Sequence, residues 1–183
     1  MSNATSDDPR LALVESRVRA IPDFPKPGIL FRDITPVLAH RDSLTAALEL
    51  HVERAKGFGK TPARVCGMES RGFLFGMAVA ERLGAGFVPV RKPGKLPAET
   101  IEESYELEYG TDTLQIHVDA IEKGHDVLII DDLLATGGTA STAVKLVQRL
   151  GGNVIGALFL VELEGLQGRS RLDDIPVESL LTY

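Results

Sequence analysis

Residues 127–139 read VLIIDDLLATGGT. Val127, Leu128, Ile129 and Ile130 form an unbroken aliphatic run, the pattern of a strand buried on both faces of a parallel sheet. Ala135, Thr136, Gly137, Gly138 and Thr139 are small and turn-permissive. Beyond them, Ala143, Leu146, Val147 and Leu150 recur at helical spacing over residues 140–150, and Gly151 and Gly152 end the pattern. Strand, glycine-rich loop and helix in that order make an anion cradle, because loop amides and the positive end of the helix dipole converge on one point. Asp131 and Asp132 stand at the carboxyl end of the strand, where open α/β sheets bind their ligands.

No lysine follows Gly138, so the loop is not a P-loop, and the Gly-x-Gly-x-x-Gly of dinucleotide folds is absent. Two carboxylates beside a phosphate cradle suit a ligand with both a phosphate and vicinal hydroxyls, since each carboxylate accepts from a diol. That describes a ribose 5-phosphate. The plain alternative, a strand ending in a solvated acidic turn, requires the whole order of residues 127–139 to be accidental.

The 183 residues suit one domain with a sizeable core. A net charge of −6 argues against a surface that coats nucleic acid. Cys66 is the sole cysteine, which excludes an intrachain disulfide and a thiolate metal cluster, and its apolar surroundings predict a core position. No run approaches the roughly 20 apolar residues of a spanning helix, and residues 1–10 lack the pattern of a signal peptide. These features predict a cytoplasmic protein without a membrane partner. The four histidines share no metal spacing, and His51 is expected at the boundary of an apolar stripe.

Leu11, Val14, Val18 and Ile21 predict a helix ended by Pro22. Residues 23–33, DFPKPGILFRD, read as an extended or looped segment too apolar for a linker: either a loop packing its apolar residues on the core, or a hood over a flat apolar ligand with Phe31 as a stacking platform. A second amphipathic helix spans residues 42–55, with Asp42 as its N-cap. Residues 64–68 read as a buried strand, Glu69, Ser70, Arg71 and Gly72 as a tight turn, and residues 73–83 as an apolar helix capped by Gly84. This turn also sets amides beside a cation, Arg71. After a short strand at 87–90, Arg91, Lys92 and Lys95 lie among prolines and a glycine, a solvated basic loop or a cationic clamp beside a polyphosphate. Residues 104–109 and 113–118 alternate as two antiparallel strands. Residues 154–161 form a central strand ending near Leu163, which reads equally as core or as a lid over a base, and residues 177–183 form an edge strand.

Residues 127–139 resemble the phosphoribosyl pyrophosphate (PRPP) signature of the type I phosphoribosyltransferase family, and LLATGGT is similar to the form in its adenine-specific members. The likeness runs from about Ile21 to Tyr183 and includes PGILFRD and SYELEYG. It implies an α/β fold, a single domain over residues 9–183, with a mainly parallel β-sheet flanked by helices. A small N-terminal hood over residues 21–38 and a peripheral β-hairpin complete that expectation, while the small, polar residues 1–8 read by themselves as a mobile tail. The implied reaction transfers the 5-phosphoribosyl group from PRPP to adenine, giving AMP and pyrophosphate, with Mg²⁺ carried by the polyphosphate and water rather than by a protein cage.

The same resemblance implies that Ala135, Thr136, Gly137, Gly138 and Thr139 hold the 5′-phosphate and that Asp131 and Asp132 hold the ribose hydroxyls. It assigns pyrophosphate to Glu69, Ser70, Arg71, Gly72, Arg91, Lys92 and Lys95, with a non-proline cis peptide at Glu69–Ser70. It assigns adenine to Leu30, Phe31, Arg32 and Leu163, and general acid/base work to Glu108. It also implies a homodimer in which part of the basic loop reaches the neighbouring site. A transferase for another base would keep the PRPP loop and change the base pocket. A non-catalytic PRPP sensor would need a DNA-binding module, and the roughly 20 residues before the likeness hold no basic recognition helix. A PRPP-making pyrophosphokinase would need an ATP site, for which the chain offers no second motif.

Overall fold

The structure, a computed structural model, describes residues 8–106 and 110–183. The chain divides into two units, Met1–Leu50 and His51–Tyr183. The tail expected over residues 1–8 lies outside the described residues except for Asp8, whose carboxylate caps α1 (Pro9–Glu15) by accepting the Arg10 amide at 2.9 Å.

The helix expected to reach Ile21 stops at Glu15. The Ser16 hydroxyl donates to the Leu13 carbonyl at 2.8 Å, and the chain turns into β1 (Arg19–Pro22). This strand pairs antiparallel with β2 (Leu30–Asp33), Ile21 opposite Phe31. The spacing of Val18 and Ile21 mimicked a helix, but the Val18 amide donates to the Glu15 carbonyl in a turn at 3.0 Å, and Ile21 finds its partner on a strand ten residues away. Pro22 ends β1, where its missing N–H leaves no gap in the ladder. Asp33 closes the pair: it accepts Arg19 at 2.5 Å and the Thr35 amide at 2.9 Å, and the Arg19 guanidinium holds its carboxyl below the usual range. Helices α2 (Thr35–Ala39) and α3 (Arg41–Gly57) follow. Asp42 lies in the first turn of α3 rather than at its cap. The His40 ring accepts the Ser43 amide at 3.2 Å in that place, because the helix starts one residue earlier than expected.

In the second unit β3 (Arg64–Met68), α4 (Gly72–Leu83) and β4 (Gly86–Val90) form one βαβ unit. A hairpin of β5 (Thr100–Glu106) and β6 (Thr111–His117) comes next, its first strand starting four residues before the expected one. Then β7 (Asp126–Leu134), α5 (Gly138–Arg149), β8 (Asn153–Glu162) and β9 (Val177–Thr182) complete a five-stranded, fully parallel sheet of order β4-β3-β7-β8-β9.

The central strand is buried on both faces for the reason its composition suggests. Val127 and Ile129 pack with Ala143, Leu146 and Val147 of α5, while Ile130 faces α4, where a Cβ on Gly76 would come 2.9 Å from its side chain. Cys66 is buried in the same core, and burial pushes its thiol up to about 12. His51 is also fully buried, not at a boundary: α4 closes over it, and its ring stacks on Phe75 at 5.3 Å. Among the described residues no helix is long and apolar enough to cross a membrane.

At the far side of the sheet, Glu162 is 4% exposed and accepts Arg169 through two 2.7 Å bonds and Ser179 through a third. Burial alone would raise its carboxyl, but Arg169 and Ser179 outweigh it and hold it below the usual range. A depressed carboxyl stabilises the fold above its unfolded value and loses that contribution as pH falls through the folded one. Glu162→Gln is therefore expected to cost about 1–2 kcal/mol at pH 7, discounted because Arg169 is half exposed. Thermal melts should show the gap to wild type closing toward about pH 3.

Candidate active site

Gly137 adopts φ +79°, ψ 0°, a left-handed turn that starts α5 at Gly138, two residues earlier than the apolar spacing indicates. Gly137, at the N-cap, has no side chain with which to cap the first-turn amides of this 12-residue helix, and the positive end of the helix opens on a cavity of about 60 Å³. Asp131 and residues 133–140 line it. At about twice the volume of a liquid water, it has the scale of a small oxyanion. All five residues assigned to the 5′-phosphate, Ala135, Thr136, Gly137, Gly138 and Thr139, surround it.

The strand leading to this cradle is longer than expected. β7 runs through both acids to Leu134, pairing with β8 as far as Glu162, while its pairing with β3 ends at Ile130. Asp131 and Asp132 thus lie where β7 projects past its neighbour. Asp131 Oδ1 accepts the Asp132 amide at 2.9 Å, and Asp132 Oδ2 lies 2.9 Å from Arg71 Nε. Burial, and then the charge of Asp132, raise the Asp131 carboxyl well above its ordinary value. Burial also raises Asp132, against the pull of Arg71. A raised carboxyl stabilises the fold below its unfolded value and loses that contribution as pH rises through the folded one. With no substrate added, Asp131→Asn should melt above wild type at pH 8, and the difference should shrink on acidification.

The parallel register brings the second turn to the same edge. Met68 pairs with Val90, so Glu69 and Arg91 leave adjacent strand ends. Glu69 accepts Arg91 at 3.1 and 3.2 Å and the Lys92 amide at 3.0 Å. The Arg91 hydrogen bonds are the main cause of its lowered carboxyl. The Glu69–Ser70 peptide is cis, as the resemblance led us to expect. Gly72 brings this turn against β7: a Cβ there would come 2.8 Å from Asp131 Oδ1 and 3.0 Å from the Ile130 carbonyl.

The basic loop is anchored at its start, where Arg91 exchanges backbone hydrogen bonds with Gln115. Lys92 pairs with Asp112, and the Lys95 carbonyl accepts Arg91 at 3.1 Å while the residue itself is exposed.

The residues assigned to adenine divide between the units. Leu30, Phe31 and Arg32 occupy β2, where Phe31 packs edge-on against Phe24 with ring centroids 5.1 Å apart. Leu163 follows β8, and its amide donates to the Leu134 carbonyl at 2.9 Å. Glu108 lies outside the described residues.

The family model described as phosphoribosyl transferase domain matches residues 34–181. The chain belongs to the phosphoribosyl transferase family. An adenine phosphoribosyltransferase from Shewanella amazonensis is 58% identical over 168 residues, 92% of this chain and 92% of that one. The crystal structure of adenine phosphoribosyltransferase from Thermoanaerobacter pseudethanolicus matches with a TM-score of 0.89 at 52% identity, covering 94% of this chain and 99% of its own. The Saccharomyces cerevisiae enzyme, solved with an imino-altritol bisphosphate and adenine, matches at 0.88 and 42% identity, with 94% and 99% covered.

Two residues packed against this cradle were not legible in the sequence. Gly168 backs the cradle: a Cβ on Gly137 would come 2.4 Å from the Gly168 carbonyl, and one on Gly168 would come 2.3 Å from the Ala135 carbonyl. Tyr105 lies over Gly138 from the hairpin. Neither has a local signal, because each acts on a loop about thirty residues away.

Proposed function

We infer that this protein transfers the 5-phosphoribosyl group from PRPP to adenine, a purine-salvage reaction that releases pyrophosphate and forms AMP. One observation carries the reading: the anion cradle, the acid pair and Arg71 meet at one sheet edge, with Arg71 on Asp132 and Gly72 against Asp131. The cradle takes the 5′-phosphate, the two aspartates accept the ribose hydroxyls, and Arg71, Arg91, Lys92 and Lys95 face the pyrophosphate. As the C1–O bond breaks, its electron pair leaves on pyrophosphate and positive charge grows on the sugar. The carboxylates favour that charge and the cations favour the leaving group. Adenine nitrogen then bonds to C1 and gives up its proton. Family resemblance assigns that proton to Glu108 and the base to Leu30, Phe31, Arg32 and Leu163.

Asp131 and Asp132 supply hard oxygen donors, which fit the water shell of a magnesium ion brought by PRPP. Bound there, the ion would neutralise the polyphosphate. We place the enzyme in the cytoplasm, in keeping with one buried cysteine; cell fractionation tests this. We also take it to be a homodimer. Leu74 and Met77, 51% and 62% exposed and three residues apart on α4, leave an apolar strip in need of cover. Sedimentation at the 19.7 kDa of one chain would count against the dimer.

The deciding experiment is PRPP- and Mg²⁺-dependent conversion of a panel of free bases. Adenine alone should yield its monophosphate. Conversion of an oxopurine would keep the PRPP reading and discard the base assignment. Tight PRPP binding without turnover on any base would favour a sensor.

A further inference from the structure

The hydroxyl of Tyr105 joins two loops far apart in sequence. It lies 3.0 Å from Asp112 Oδ2 and 3.0 Å from Thr139 Oγ1. Asp112 also pairs with Lys92 and accepts the Thr113 amide at 2.9 Å. A polar chain therefore runs from the basic loop, through β6 and β5, to the first turn of α5. Thr139, its last member, lines the cradle. The Tyr105 ring presses on the same turn, since a Cβ on Gly138 would come 2.8 Å from its edge. One side chain thus holds the end of the cradle by an apolar and a polar contact together.

The direction of the protons follows from the donors available. Burial favours a neutral Asp112, but Lys92, Tyr105 and the Thr113 amide outweigh it and hold the carboxyl below its ordinary range. An ionised carboxylate only accepts, so the single Tyr105 proton goes to Asp112 and Thr139 is the donor in its contact with Tyr105.

We propose that Tyr105 is a positioning residue for the 5′-phosphate: held by Asp112, its hydroxyl fixes Thr139 Oγ1 at the rim of the cradle. The proposal rests on reading that cradle as the 5′-phosphate site. A phosphate oxygen is a stronger acceptor than a phenol oxygen, so an arriving phosphate takes the Thr139 proton by rotation of one O–H bond, with no movement of Oγ1. The Tyr105 proton then turns to Thr139, because Asp112 keeps Lys92 and the Thr113 amide as donors. Tyr105 itself does not touch substrate; it holds the threonine ready, which lowers the ordering cost of binding.

Tyr105→Phe keeps the ring on Gly138 and removes only the hydroxyl. The KM for PRPP and the Kd for ribose 5-phosphate should each rise about fivefold, with kcat within about twofold of wild type. Pyrophosphate affinity should change much less, because Asp112 keeps Lys92 and the Thr113 amide when the Tyr105 hydroxyl is gone. Thr139→Val alone should weaken ribose 5-phosphate binding, and adding Tyr105→Phe to it should weaken it no further, because Tyr105 acts through Thr139. Unaltered ribose 5-phosphate affinity in Tyr105→Phe, or additive losses in the double variant, would overturn the proposal. Equal weakening of pyrophosphate would overturn it too, by pointing to a loosened hairpin. Wild-type protein that fails to bind ribose 5-phosphate would remove the cradle reading itself, and the proposal with it.

Discussion

Asp132→Asn should lower kcat/KM for PRPP and adenine by about a hundredfold or more while the protein stays folded. Asp132 is 5% exposed, and its carboxylate faces Arg71 at 2.9 Å. In such surroundings a fixed negative charge acts strongly on a sugar that becomes cationic as the C1–O bond loosens. Asparagine keeps the shape and one acceptor oxygen, but not the charge. Stability should move little, because two terms oppose each other. The change relieves the burial of one of two adjoining carboxylates, and it takes a charged partner from Arg71. Steady-state kinetics beside a thermal melt separates the two effects. Activity within threefold of wild type would take Asp132 out of the mechanism, and a collapsed melt would make its role structural.

Gly137→Ala should raise the KM for PRPP at least tenfold and cost about 2–4 kcal/mol of stability. Two effects add there. The backbone sits at φ +79°, where an L side chain is strained, and the new Cβ would stand 2.4 Å from the Gly168 carbonyl. A backbone carbonyl cannot swing aside like the end of a lysine, so the cradle must shift, and amides aimed at an anion lose their aim. Gly168→Ala meets the Ala135 carbonyl at 2.3 Å and should act in the same direction. Gly84→Ala is the control. Its φ is +68°, but the added Cβ meets nothing within 4 Å, so it should cost about 1 kcal/mol and leave the KM unchanged. Equal effects of Gly137→Ala and Gly84→Ala on the KM would show that strain alone, not the contact with Gly168, matters.

The cradle was legible because its signals are local. A buried strand, a run of small residues and an amphipathic helix each declare themselves within a few residues; β7 and α5 cover the expected stretches, although β7 runs on to Leu134 and α5 starts two residues early. The misreadings share a cause. Val18 and Ile21 carry a helical period, yet Val18 only closes the turn after α1 on the Glu15 carbonyl, and Ile21 pairs with Phe31 of β2. His51 carries a polar ring, yet α4 buries it against Phe75. The acid pair looked like the end of a strand, yet β8 supports β7 as far as Leu134. In each case a distant partner decided between local options of similar free energy.

By itself the sequence determined the alternation of strands and helices, the glycine turn that opens α5 and the acids beside it, because these depend on neighbours along the chain. Tertiary structure decided which side chains meet. Arg71 reaches Asp132, Glu69 reaches Arg91, Gly168 backs Gly137, and Tyr105 ties Asp112 to Thr139. These meetings follow from the strand order β4-β3-β7-β8-β9 and from the hairpin packed beside it. That order depends on how whole apolar faces bury one another, a choice made by the sum of many weak contacts and carried by no short stretch of residues.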